Sequence, residues 1–307
     1  MPKPNIGLLI PSAWHQHVPT GPELASYCRR AEELGFHSLW TLQRVLHTAP
    51  VPHPFTILAY AAASTERIRL GTSVFLMSMH HPVHVARETA TLDVLSGGRL
   101  TLGVSLGGRD PEYDAIDMPK QQRVGRLEEG VSLLRKLWTE DDVTYNGRYY
   151  NVASATVSPK PAQAKGIPIP IGGTAQTALN RAGRIGDGWL MGARGTLDNF
   201  ATNWDIVLSS AREAGRDTSG FVNGKIAYAN PVGPGGLDTA KEEMMSALSA
   251  YYGEQGAANQ DPVVGTTKEI AAMARGFGDA GCQTLFLGPP DLDLARLERL
   301  AEVISLV

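Results

Sequence analysis

Between Ile167 and Gly192 the chain reads IPIPIGGTAQTALNRAGRIGDGWLMG, which sets a Gly-Gly-Thr turn between a short apolar run and a helix-forming segment. A glycine turn that opens a helix offers unpaired first-turn N–H groups, the positive end of the helix dipole, and room for an anion to reach the backbone. Thr174 and Thr177 add hydroxyl donors. The chemistry this suits is capture of a phosphate-bearing ligand. Without a ligand, the same residues read as a tight strand-to-helix connection.

A second group could move protons. Six of the eight histidines, His15, His17, His47, His53, His80 and His81, fall shortly after apolar runs of strand length. Histidine changes charge near neutral pH, so it is the usual acid or base. A single loop histidine is ordinarily solvated surface, but this joint placement nominates His47 and His81 for proton transfer. His15-Gln16-His17 sits on a loop with no carboxylate close by, and no metal site is expected. The aromatic side chains Trp14, Tyr113 and Trp189 lie near strand ends, where they would either line a pocket or plug the core.

These residues need a scaffold. Strands are expected at Ile6–Pro11, Ser38–Leu42, Arg67–Met77, Leu100–Leu106, Ile167–Ile171, Gly188–Met191, Gly224–Asn230 and Thr284–Leu287. Amphipathic or apolar helical stretches separate them, among them Pro22–Leu34, Pro54–Ser64, His84–Leu95, Val124–Trp138, Asp198–Ala214, Asp238–Tyr251, Thr266–Ala280 and Leu292–Ile304. An Asn146-Gly147 turn marks a small hairpin within the irregular stretch 139–165. Eight strands alternating with helices over 307 residues predict an α/β fold, a (β/α)8 TIM barrel with insertions, as one domain over residues 1–307. No GxGxxG follows the first strand, which argues against a doubly wound open sheet. Function in such a barrel gathers where strands end, here after Pro11, Leu42, Val74, Leu106, Gly172, Met191, Asn230 and Gly288.

Composition narrows the classes further. A formal net charge of -3 gives no global pull toward nucleic acid or an acidic membrane. No apolar run approaches the roughly 18 residues of a membrane span, and the N-terminus lacks the pattern of a signal peptide. Cys28 and Cys282 are far apart and match no metal spacing, so both are expected in the core of a cytoplasmic protein.

Several strings resemble the luciferase-like monooxygenase superfamily, which holds bacterial luciferase, FMN-dependent monooxygenases and oxidoreductases using the 5-deazaflavin coenzyme F420. They are RIRLGTSVFLMSMHHPVHVARE (67–88), SGGRLTLGVSLG (96–107), Trp138, IPIPIGGT and GDGWL. The most specific are ATLDVLSGGRLTLGV (90–104) and RAGRIGDGW (181–189), and the likeness spans nearly the whole chain. The resemblance implies a flavin or deazaflavin across the barrel mouth, its phosphate on Gly173, Thr174, Ala175, Thr177 and Ala178. It further implies a non-proline cis peptide at Ser73-Val74 behind the ring, with Leu76 just beyond. Leu106 and Gly107 would meet the pyrimidine edge, where glycine permits close backbone approach. A homodimer is also implied.

The chain departs from the family at two places. Leu106 stands where luciferase has a phosphate-binding arginine, and Gln43-Arg44-Val45 replaces Glu-His-His or Asp-His at the end of the second strand. Gln43 would hydrogen-bond the ring or its side chain, and Arg44 would stabilise a developing anion, since guanidinium stays charged. Arg109, three residues after Leu106, would either take the place of the missing phosphate-binding arginine or hold a substrate carboxylate, with Trp14, His15 and Tyr113 as further substrate contacts. The expected function is therefore F420-dependent hydride transfer to or from a small organic substrate. The alternatives are an FMN-dependent monooxygenase, a non-catalytic flavoprotein, and a phosphate-binding TIM-barrel lyase or isomerase.

Overall fold

The computed structural model describes residues 3–307. Parallel strands covered on both faces must be apolar throughout, and Leu100–Val104 is buried at all five positions. The first half of the chain runs β1 (Asn5–Leu9), α1 (Gly21–Glu33), β2 (Ser38–Thr41), α2 (Pro54–Ser64), β3 (Arg69–Phe75), α3 (Pro82–Leu95), β4 (Leu100–Val104), α4 (Asp110–Asp114) and α5 (Arg123–Thr139). A hairpin of β5 (Val143–Asn146) and β6 (Asn151–Ala155) follows at the Asn-Gly turn. The second half runs β7 (Ile171–Gly172), α6 (Gln176–Ile185), β8 (Gly188–Met191), α7 (Leu197–Glu213), β9 (Val222–Pro231) and α8 (Gly236–Tyr252). It ends with α9 (Glu254–Ala257), β10 (Val263–Gly265), α10 (Thr267–Asp279), β11 (Thr284–Gly288) and α11 (Leu294–Leu306).

Eight parallel strands close into a barrel in the order β9-β11-β1-β2-β3-β4-β7-β8, with β8 pairing back onto β9 through Gly188–Met191 against Val222–Lys225. β10 extends β9 beyond the barrel, pairing Val263 with Ala229. Alternation along the strands feeds two cores. Leu8, Leu39, Leu70 and Leu285 join the layer beneath the helices. Their neighbours Leu9, Trp40 and Phe286 join Leu190 and Ile226 in a second cluster, where Trp40 stacks on Phe286 at 4.1 Å. That cluster continues into Met244, Leu248 and Tyr251, so α8 packs against the barrel's own filling. Both cysteines are buried and unpaired. Among the described residues no helix is long and apolar enough to cross a membrane.

The expected strands form, but the fifth shrinks from Ile167–Ile171 to Ile171–Gly172. The cause is proline, which has no N–H to give to a ladder. Pro168 and Pro170 still accept from Leu102 and Val104 on the β4 side, at 2.9 Å each. Toward β8, Asp187 takes over. Its carboxylate accepts the Ile169 N–H at 3.0 Å, while its own N–H donates to the Ile169 carbonyl at 2.9 Å and its carbonyl accepts from Val222. Arg135 of α5 clamps the same carboxylate with two contacts of 2.9 Å, and Arg216 adds a third at 3.2 Å. One residue, through its side chain and its backbone, thus joins the segments of β7, β8, β9 and α5. The short α4 and α9, the strand β10 and two single 3-10 turns (Met77–Met79, Lys120–Gln122) had no clear periodic signal.

Replacing Asp187 with Ala should lower unfolding free energy by about 2–3 kcal/mol, since an N–H and two guanidinium groups lose their acceptor. Chemical denaturation of the variant checks this.

Candidate active site

Where β2, β3, β4, β7 and β8 end, the barrel opens into a cleft of about 530 Å³. Its base is Ser73, Val74, Gly172 and Leu190, and the Ser73-Val74 peptide is cis. Gly172 has to lack a side chain, because a Cβ there would sit 2.8 Å from Val74 Cγ1. One end is formed by Gly173 and Thr174, leading into α6. Gly173 adopts φ 139°, a conformation L side chains rarely adopt, and its carbonyl accepts from Trp189 Nε1 at 2.7 Å. Ala175 occupies the N-cap of α6 and offers no side-chain oxygen, so no side chain caps the first turn, where the Ala178 N–H alone turns back to the Ala175 carbonyl at 2.8 Å. By contrast α1, α7 and α10 each begin with a threonine capping box. Ala175, Thr177 and Ala178 lie in or beside this open turn.

The other walls are charged or phenolic. Arg44 follows β2, Gly192-Ala193-Arg194 follows β8, and Tyr252 ends α8; Ser105, Gly256 and Gln260 complete the lining, which contains no carboxylate. The Arg44 guanidinium lies over the Tyr251 ring, 5.0 Å from its centre, and its Nε is buried without a partner. Tyr252 Oη is 2.8 Å from Tyr228 Oη. Behind the β8 loop, Lys225 reaches up from β9 and donates to the carbonyls of Gly192, Ala193 and Ile226 at 3.1, 2.6 and 3.2 Å. Burial pulls its ammonium down to about 8.

Of the residues picked out in the sequence, the cleft brings together Arg44, Ser73, Val74, Gly173 and Thr174. Others turn out to build its frame. Gln43 is buried: its Oε1 accepts the Leu76 N–H at 2.7 Å and its amide donates to His80 Nε2 at 2.9 Å. His47 donates through Nε2 to the Tyr251 carbonyl and accepts the Ala49 N–H on Nδ1, both at 2.9 Å. That fixes one neutral tautomer and leaves neither nitrogen for proton transfer. His81 caps α3 and faces Tyr150 edge-on, and neither residue lines the cleft. Tyr113 is fully buried, not a substrate platform; its hydroxyl donates to the Leu106 carbonyl and meets Ser78 Oγ at 2.9 Å. Leu76, Met79 and Tyr113 form a small cluster of their own, against which Gly107 (φ 71°) fits with no room for a Cβ. Arg109 is exposed and touches the Leu46 carbonyl at 3.4 Å.

Trp14 and His15 lie elsewhere, in a second cavity of about 490 Å³ between the loops after β1 and β11. Trp14 Nε1 and His15 Nε2 are both buried there without partners. The sequence reading missed Arg194, although it follows a strand end that had been identified. It also missed Tyr228, and Tyr252 at the edge of an irregular insertion, where no periodicity marks a position as facing the mouth.

His80, stacked on Phe75 at 4.4 Å, has its imidazole pushed down to about 4 by burial. The unfolded chain therefore binds a proton below the ordinary histidine range that the folded one refuses. Stability should be fully present above pH 6.5 and be lost as pH falls toward 4, and His80→Phe should flatten that part of a stability-versus-pH curve.

Comparison with known proteins supplies the family. A relative from Nakamurella multipartita, an F420-dependent glucose-6-phosphate dehydrogenase, is 39% identical over 79% of this chain and 74% of its own. The oxygenase component of a flavin-dependent trigonelline monooxygenase from Acinetobacter baylyi is 31% identical over 48% of this chain and 41% of its own. Among solved structures, an F420-dependent secondary alcohol dehydrogenase in complex with an F420-acetone adduct superposes with a TM-score of 0.85 at 21% identity, covering 99% of both chains. The sequence pattern of the luciferase-like monooxygenases matches residues 5–304. A closed parallel barrel with its cleft at the strand ends and a family match across its length agree: this chain is an oxidoreductase belonging to the luciferase-like monooxygenase family.

Proposed function

We propose that this single-domain barrel binds coenzyme F420 in the cleft and exchanges a hydride between it and a small organic substrate. The observation that carries this reading is the cleft's polarity. An uncapped helix start and an open glycine backbone stand at one end, Arg44 and Arg194 stand on the walls, and no acidic side chain intervenes. That set fits an anionic, phosphate-bearing cofactor. Gly173, Thr174, Ala175, Thr177 and Ala178 would hold the phosphate, and Ser73, Val74 and Ser105 would back the ring. Gln43, Leu76, Leu106 and Gly107 would act from behind, by shaping the loops after β3 and β4. When bound, the deazaflavin supplies a carbon centre that gives or takes hydride, and carbon in place of N5 disfavours reaction with oxygen. The protein orients the pair and sets the field.

Two observations bear on the alternatives. The Acinetobacter relative uses a flavin, which keeps a reduced-FMN monooxygenase as the second reading. A Schiff-base lyase finds no support, because the Lys225 ammonium is already held by three carbonyls.

A homodimer in the cytoplasm completes the proposal. Leu95 is 70% exposed and lines a groove between α2 and α3 together with Phe55, Ala59 and Leu92; exposed apolar surface of this kind marks contact surfaces. Light scattering should report the mass of two chains, and Leu95→Glu should shift it toward one.

Fluorescence titration with F420 and with FMN tests the cofactor. F420 should bind more tightly by about tenfold or more, equivalent to at least about 1.4 kcal/mol. Gly173→Val, whose Cβ would lie 2.8 Å from that of Ala178, should weaken it by a similar factor. Tighter binding of FMN would move the assignment to the monooxygenase, and binding of neither would overturn both.

A further inference from the structure

We propose that Tyr252 is the proton donor of this active site, its phenol paired with that of Tyr228 and flanked by Arg44 and Arg194. The inference rests on the cofactor reading above.

Moving a hydride onto a carbonyl carbon leaves charge on the oxygen, and a proton has to meet it. The side chains that the family pattern would offer do not serve here. Gln43 has no acidic proton and is committed to Leu76 and His80. His47 has both nitrogens engaged, and His81 caps a helix away from the cleft. Among the cleft-lining side chains, Ser73, Ser105 and Thr174 are far weaker acids than a phenol, and a guanidinium does not release its proton at these pH values. Tyr252 remains.

Its surroundings suit the task. Tyr252 is the last residue of α8, so its ring is carried to the cleft by the helix that packs on the barrel's inner core. Its Oη is 2.8 Å from Tyr228 Oη, and Tyr228 is itself 8% exposed, on β9. Tyr251 packs edge-on at 4.9 Å and carries the Arg44 guanidinium over its face. Burial raises the Tyr252 phenol above its ordinary range, against a pull downward from the Tyr228 hydrogen bond, Arg44 and Arg194. The phenol is therefore neutral and able to donate at neutral pH. Once it has donated, the phenolate keeps the Tyr228 hydroxyl at 2.8 Å and shares the cleft with the Arg44 and Arg194 guanidinium groups, with no carboxylate among the lining residues.

The step balances as follows. The carbonyl carbon gains a C–H bond from the hydride that the reduced deazaflavin supplies. The carbonyl oxygen gains an O–H bond as the Tyr252 O–H breaks. The cofactor would be oxidised by two electrons and release its remaining ring N–H proton to solvent, the substrate would leave as the alcohol, and the phenolate would recover a proton from solvent. The reverse direction, alcohol oxidation, uses Tyr252 as the phenolate base.

The test has a binding arm and a turnover arm. 3-Fluorotyrosine placed at residue 252 should show a fluorine resonance that moves as F420 is titrated in, with a smaller movement for the label at 228. With reduced F420 and a panel of short ketones and aldehydes, Tyr252→Phe should keep its F420 affinity and its KM while kcat falls by about 100-fold or more, the usual range for loss of a general acid. Tyr228→Phe should fold and bind alike and lose kcat by a smaller factor. A label at 252 that is unmoved at saturating F420 overturns the proposal, as does a Tyr252→Phe kcat within about threefold of the parent. Wild-type protein that binds no F420 overturns the cofactor reading, and the donor assignment falls with it.

Discussion

The barrel closes on one carboxylate. Its fifth strand is built from alternating prolines, whose carbonyls accept from β4 but which have no N–H to return to it, so the hold toward β8 falls on the intervening Ile169. Asp187 makes that hold by accepting the Ile169 N–H on its side chain and exchanging backbone bonds with Ile169 and Val222. Two arginines balance its charge. Such a pair is worth little in open water, but a part-buried carboxylate holding several donors at once is not easily replaced.

The cleft inherits its shape from that joint. Just beyond the prolines come Gly172 and Gly173, the former cleared for Val74 and the latter held through its carbonyl by Trp189, two residues after Asp187. The uncapped start of α6 is thus fixed from both sides, so its N–H groups are aimed before any ligand arrives. The second specific string of the sequence has a similar role. Arg99 is buried and donates to the Ala62, Thr65, Ile68 and Ser96 carbonyls and to Thr65 Oγ1, closing the end of α2 over β3 and β4. Asp93 in the same string receives Gln163. The strings that most resemble the family therefore carry architecture.

This explains what was legible beforehand. Strands, helices and the glycine turn carry strong local signals, since apolar runs, helix caps and Gly-Gly pairs act within a few residues. The Gly173–Thr174 end of the cleft could be placed from a strand end and its glycine turn, and the Ser73-Val74 base from a strand end together with the family resemblance. Roles for His47, His81 and Tyr113 could not, because whether a polar side chain faces the mouth or braces a loop depends on partners up to about two hundred residues away, as Tyr251 is for His47. Tyr252 and Arg194 were unmarked for the converse reason. Their importance comes from where α8 and the β8 loop are carried in space, and neither segment has a repeat that encodes it.

Lys225 adds a kinetic meaning to this geometry. Its ammonium is tied to the carbonyls of Gly192 and Ala193, so the segment that bears Arg194 cannot swing open without stranding a buried cation. The Arg194 side chain itself is exposed and free of such ties in its stem. Movement at this rim is then rotation of one long side chain on a tied backbone, on the picosecond-to-nanosecond scale of exposed rotamers and not the slower scale of a loop opening.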